Sequence, residues 1–205
     1  MAYAEIGPII NGETTIGMEF QFDYSDNYWF WKIKMDNENG VQVIVEEPNP
    51  YHLTSKGKAW ITCWDTWVSL CNDESVKERI TELFMNFNEK RDLLEITGFK
   101  NLRKLVIQDR SSQLIREIMI HGLNNLTEVS IKNCCFNERQ KTLNSNFMVF
   151  HCPKLRKIKV GKGSLCRLKS CFIHENPSLE TIRWGDGSFE NCDYFYLKSS
   201  LMLSV

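Results

Sequence analysis

Residues 101–112 read NLRKLVIQDRSS, and the phrase returns as NLTEVSIKNCCF at 125–136, KLRKIKVGKGSL at 154–165 and SLETIRWGDGSF at 178–189. The copies align without gaps. In each, apolar residues recur at fixed places: Leu102, Leu105 and Ile107; Leu126, Val129 and Ile131; Leu155, Ile158 and Val160; Leu179, Ile182 and Trp184. The alternation within each trio is that of a short strand with one face buried, because successive side chains of a strand point to opposite sides.

A second apolar set keeps the same phase: Ile118-Met119-Ile120, Phe147-Met148-Val149, Cys171-Phe172-Ile173 and Phe195-Tyr196-Leu197. The leucines are spaced by 24, 29 and 24 residues and the second set by 29, 24 and 24, so five extra residues within NERQKTLNSN account for both long intervals. Such a period marks a solenoid, in which each coil buries its apolar side chains against its neighbours. Five residues after each trio comes another apolar position, Phe136, Leu165 and Phe189, with Ser112 in the first copy.

This spacing resembles the leucine-rich repeat pattern LxxLxLxxN/CxL over residues 94 to 200. The N/C position holds Arg110, Cys134, Gly163 and Gly187, of which only Cys134 conforms, and the two glycines are expected to turn with φ above zero. The resemblance implies a mainly β solenoid with strands on both faces, similar to repeat arrays common in unicellular eukaryotes. About four repeats are expected over 91–205, the last incomplete because Leu203 stands where the next copy's first leucine belongs. An end coil left half covered should favour end-to-end self-association.

Residues 1–90 are expected to form a small α+β capping region. GMEFQFDY and NYWFWKIKM, the latter turned by DNENG into VQVIVEE, have the alternation and aromatic content of strands. From Asp73, the stripe Val76, Ile80, Leu83, Phe84 and Phe87 predicts a helix covering the first repeat. Trp60, Trp64 and Trp67 would share one face of a helix over 59–71; core packing, the same role expected of Trp29 and Trp31, competes with a sugar- or peptide-binding stripe.

The net charge of -1 conceals an asymmetry, since residues 1–90 carry 7 Lys and Arg against 15 Asp and Glu while 91–205 carry 18 against 11. No apolar run approaches the length of a membrane span, and the N-terminus lacks a basic start followed by an apolar stretch. The eight cysteines are therefore read as reduced thiols of a cytoplasmic protein with no membrane partner.

Gly161-Lys162-Gly163-Ser164 invites comparison with phosphate loops, but GxxxxGK[ST] is absent and the aligned Gly185-Asp186-Gly187-Ser188 identifies both as turns of the repeat. Cys166, Cys171 and His174, with His151-Cys152, could supply metal ligands by spacing; the register makes Cys171 and Cys192 small core residues instead. His121 and His174 occupy one register with Phe150 between them, too far apart to share a catalytic step. No nucleophile is paired with a base, so no enzyme, cofactor or metal is expected.

A solenoid of this kind binds macromolecules, and the side chains flanking the buried leucines define the surface to use. Lys104, Gln108, Glu128, Lys132, Lys157, Lys159, Thr181 and Arg183 are the candidate partner-binding residues, on the same strands as outward Val106 and Ser130. Basic side chains prevail, so the expected function is a protein-protein interaction module or scaffold subunit meeting an acidic partner. Nucleic-acid or polyanion binding through the same strip is the alternative, disfavoured by Glu128 and by a lack of aromatic platforms among these positions.

Overall fold

The computed structural model describes residues 53–198 apart from 55, 112–114 and 137–144, together with the backbone of four strands within residues 2–44. The chain divides into two units, Met1–His52 and Leu53–Val205.

In the first unit, β1 (Ala2–Ile6) pairs antiparallel with β2 (Ile16–Phe20). β3 (Lys32–Asp36) pairs antiparallel with β4 (Gly40–Ile44), with Asp36 opposite Gly40, which is the hairpin expected at DNENG. Trp29 and Trp31 lie outside the described residues.

The second unit runs β5 (Lys58–Ile61), α1 (Trp64–Cys71), α2 (Glu74–Lys77), β6 (Glu82–Met85), β7 (Arg91–Ile96), β8 (Lys104–Ile107), β9 (Ile115–His121), β10 (Glu128–Ile131), β11 (Asn146–Phe150), β12 (Lys157–Val160), β13 (Ser170–His174), β14 (Thr181–Trp184) and β15 (Tyr194–Leu197). One sheet is ordered β5-β6-β8-β10-β12-β14 and the other β7-β9-β11-β13-β15. All their pairings are parallel. The chain thus climbs as stacked coils, each full coil giving one strand to each sheet.

The repeat sets the pairing. Leu105 faces Val129, Val129 faces Ile158, and Ile158 faces Ile182. On the other sheet Ile118 faces Phe147, Phe147 faces Cys171, and Cys171 faces Phe195. Both registers run unbroken across the five-residue insertion, because the extra residues fall between strands, where they disturb neither ladder. The enclosed side chains are close to fully buried: Leu102, Leu105, Ile107, Ile118 and Ile120 are each 0% exposed.

After each first-sheet strand the backbone enters the left-handed region, with φ of 58° at Arg110, 55° at Cys134, 64° at Gly163 and 71° at Gly187. Two residues on, Phe136, Leu165 and Phe189 do so again. In the turns that carry Arg110, Cys134, Gly163 and Gly187, the turn carbonyls take hydrogens from the next residue along. Cys135 Sγ donates to the Gln108 carbonyl, Ser164 Oγ to that of Lys132, and Ser188 Oγ to that of Gly161. Ser111 Oγ does the same for Met85. This hydroxyl and thiol ladder satisfies polar groups that the closed turn keeps from water.

Three expectations for the first ninety residues are corrected. The first sheet takes in β5 and β6, so coils begin near residue 58 rather than at 91. The helix expected from Asp73 is only Glu74–Lys77, capped by the Asp73 carboxylate accepting from the Val76 N–H at 3.1 Å. Beyond it, Leu83 and Met85 lie in a strand opposite Leu105 and Ile107. Pairing wins there because the strand buries both side chains and completes a backbone ladder that a helix would leave open. Finally, residues 59–71 are not one helix: Trp60 is on β5 and only Trp64 and Trp67 are on α1. That helix replaces the second strand of the first coil, burying Trp67 and Leu70, with Trp67 stacked on Phe99 at 5.9 Å.

At the other end, β14 and β15 are the last strands in their sheets among the described residues. Trp184 and Phe195, which follow the core register, are 43% and 40% exposed there. Cys192, expected in the core, is for the same reason only half buried. Leu203 lies outside the described residues.

Candidate functional site

The outward side chains of the first sheet stand in cross-strand rows. Pairing places Lys58, Glu82, Lys104, Glu128, Lys157 and Thr181 in one row, alternating in charge up to Lys157. The next row, two residues along each strand, is Trp60, Phe84, Val106, Ser130, Lys159 and Arg183. Just beyond the strands come Gln108, Lys132, Gly161 and Gly185, whose N–H groups bond back to Met85, Ile107, Ile131 and Val160. All eight candidate residues therefore share one face. Lys132 and Arg183 are exposed, and Lys104, Gln108, Glu128, Lys157, Lys159 and Thr181 are half buried.

Charges on this face divide into paired and unpaired. Lys58 meets Glu82 at 3.6 Å, and Lys159 reaches diagonally across the β10–β12 pairing to donate to Glu128 at 2.9 Å. That hydrogen bond holds the Glu128 carboxyl below the usual carboxylate range, with Lys104 and Lys157 adding weaker attraction. Lys104, Lys132, Lys157 and Arg183 make no ion pair among the described residues. Unpaired cations thus stand on every coil from β8 to β14, and strands β12 and β14 add Lys159 and carry no acidic residue of their own.

The middle row changes character along its length. Trp60 and Phe84 stack with ring centroids 5.0 Å apart and planes 11° from parallel. Val106 and Ser130 follow, short side chains that are 4% and 6% exposed although they point outward, because longer neighbours flank them on both sides. Lys159 and Arg183 complete the row. Sequence reading missed the aromatic pair, yet a signal existed. Ile80, Leu83 and Met85 stand 22 residues before Leu102, Leu105 and Ile107, with Asn88 at the conforming N/C position, and Ala59 and Ile61 stand 24 before Leu83 and Met85.

The outer face of the second sheet is different. Met119, Met148, Phe172 and Tyr196 form its central row. Beside it His121, Phe150 and His174 lie ring on ring, at 5.0 Å and 5.4 Å with planes 4° and 9° from parallel. His121 Nε2 is 2.8 Å from Glu95, while Glu175 contacts His151 and lies 3.7 Å from His174 Nδ1. Phe150 thus separates His121 from His174, as their register implied.

No group of three His, Cys, Asp or Glu among the described residues is placed to hold a metal. None of the eight cysteines is in a disulfide. Burial pushes the Cys135 thiol up to about 12 and those of Cys71 and Cys152 up to about 11, and raises that of Cys171 as well, so none of these is a ready thiolate. Gly161 and Gly185 press on the preceding coil rather than facing a free concavity: a Cβ at Gly161 would lie 2.6 Å from the Lys132 carbonyl carbon, and one at Gly185 2.7 Å from the Lys162 nitrogen. No helix among the described residues is long and apolar enough to cross a membrane. No family model, curated protein or solved structure matches the chain.

Proposed function

We propose that this solenoid is of the leucine-rich-repeat kind and serves as a non-catalytic protein-interaction module or scaffold subunit of the cytoplasm. Its partner binds the outward face of the first sheet and is acidic where it meets strands β12 and β14. The observation that carries this reading is the set of unpaired cations, Lys104, Lys132, Lys157 and Arg183, one from each of four successive coils on the outward face of one sheet. The sheet fixes the backbone positions of these side chains, so a partner meets their charges at set spacings without ordering a loop.

Nucleic acid is the second reading, and the Trp60–Phe84 stack favours it more than the sequence did, since aromatic rings beside cations suit single strands. Glu82 and Glu128 weigh against it: both stand in the same row as the lysines and would repel a phosphate backbone laid across the strands.

The test is an affinity pull-down with the full chain beside a Lys157→Glu, Lys159→Glu variant. One stoichiometric protein recovered by the parent alone supports the module. Tight retention on heparin or oligonucleotide at physiological salt, lost in the variant, would replace it with the polyanion reading.

A further inference from the structure

The proposed face is not uniform, and its gradation specifies what kind of segment it fits. The middle row crosses the strands with two short side chains, Val106 and Ser130, at its centre, the stacked Trp60 and Phe84 at one end and cations at the other, and we treat the step down from its ends to its centre as a shallow trough. We infer that this trough takes an extended peptide segment carrying one aromatic or large apolar residue and two acidic residues, spaced four and six positions from it. The inference rests on the protein-binding reading above and deepens it.

The spacing follows from the sheet. Parallel strands lie about 4.8 Å apart, so from Phe84 it is three steps, about 14 Å, to the lysines of β12, and four steps, about 19 Å, to Arg183 on β14. An extended chain advances about 3.4 Å per residue, which converts these distances to about four and six residues. Both offsets are even, so the aromatic and the two carboxylates fall on the same side of the peptide and face the trough together. The residue at offset two lies over Val106 and Ser130, which longer neighbours flank so closely that only a small side chain fits between them.

Each end has its own physical reason. A ring added beside the Trp60–Phe84 pair extends an existing stack and removes apolar surface from water. A carboxylate at Arg183 can be held by two parallel N–H donors, whereas Lys157 and Lys159 act as point charges. Within the row β12 presents Lys159, already engaged by Glu128; Lys157, two residues back on the same strand and about 7 Å to the side of the row, reaches over to carry the new charge at β12.

The test selects random displayed peptides against the full chain and measures the affinity of synthetic versions. Enrichment of an aromatic with acids at offsets four and six, in either chain direction, is the expected result. Moving the acids to offsets three and five should lower affinity about tenfold or more, since it turns them away from the sheet. This alters only the peptide, so folding of the protein is not at issue. Lys157→Glu with Arg183→Glu should abolish binding of the acidic peptide, and a peptide with lysines at the two offsets should bind that variant. Enrichment indifferent to offset, or no rescue by the lysine peptide, would overturn the inference. If the pull-down partner is still lost with Lys157→Glu, Lys159→Glu, that outcome leaves the module standing without this specificity. If oligonucleotides displace the peptide at physiological salt with comparable affinity, both readings fall together.

Discussion

Replacing Gly161 with alanine should cost far more than the same change two residues later at Gly163, although the two lie in one short turn. A Cβ at Gly161 would sit 2.6 Å from the Lys132 carbonyl carbon and 2.7 Å from the Asn133 nitrogen, where ordinary contact begins at 3.4 Å. Those atoms are backbone, so they yield only if the coil beneath moves by most of an ångström. That coil is held by Gly161 N–H to the Ile131 carbonyl at 2.8 Å, Lys162 N–H to Asn133 Oδ1 at 2.9 Å, and Asn133 N–H to Asp109 Oδ1 at 2.8 Å. Overpacking costs about 1–3 kcal/mol, and weakening one or two such bonds adds about 1 kcal/mol each, so about 3 kcal/mol is expected. Gly163 has the opposite problem: φ is 64° but the nearest atom to its Cβ is 3.9 Å away, so alanine there bears only the left-handed penalty of about 1 kcal/mol. Arg110 and Cys134 already tolerate that conformation in the aligned turns. Urea unfolding followed by far-UV circular dichroism reads the difference; with m near 2 kcal/mol/M the midpoint should fall about 1.5 M for Gly161→Ala and about 0.5 M for Gly163→Ala. Equal shifts, or a larger one at Gly163, would refute the argument that Gly161 is a site of coil-to-coil contact.

Because Lys159 holds the Glu128 carboxyl below its ordinary range, the pair stabilises the fold above the unfolded carboxylate range and loses that contribution as pH falls through the folded value; Lys159→Met should remove this acid-dependent component, under about 1 kcal/mol at a partly exposed site, in unfolding measured from neutral to acidic pH. Alkylation of the native protein read by mass spectrometry should spare Cys135, Cys152 and Cys171, which are buried with thiols pushed up, and modify half-exposed Cys63 and Cys134 first; modification of Cys171 at their rate would contradict its place in the core. Trp184 and Phe195 leave large apolar surface open on the last strands, so dimers should grow with concentration in sedimentation and diminish in Trp184→Glu with Phe195→Glu; a monomer over the whole accessible range would remove self-association.

The strand registers were legible because the repeat writes them twice. Leu105, Val129, Ile158 and Ile182 recur in phase with Ile118, Phe147, Cys171 and Phe195, and in-phase apolar residues can all be buried only if the coils stack at that period. The left-handed turns at Gly163 and Gly187, the position of Cys171 in the core, and the first-strand face bearing Lys104 through Arg183 follow from the same period. The first coils did not stand out. Val76, Ile80, Leu83 and Phe87 fit a helix as well as Leu83 and Met85 fit a strand, and over so few residues only a neighbouring strand with open hydrogen-bonding groups can decide. Residues distant in sequence gained their roles the same way. The stack of Trp60 on Phe84, the serine and cysteine ladder replacing the expected asparagines, and the burial of Val106 and Ser130 arise between coils. The period places residues within a coil, whereas what each side chain touches is set by the coil beside it, and that contact exists only once the chain has closed on itself.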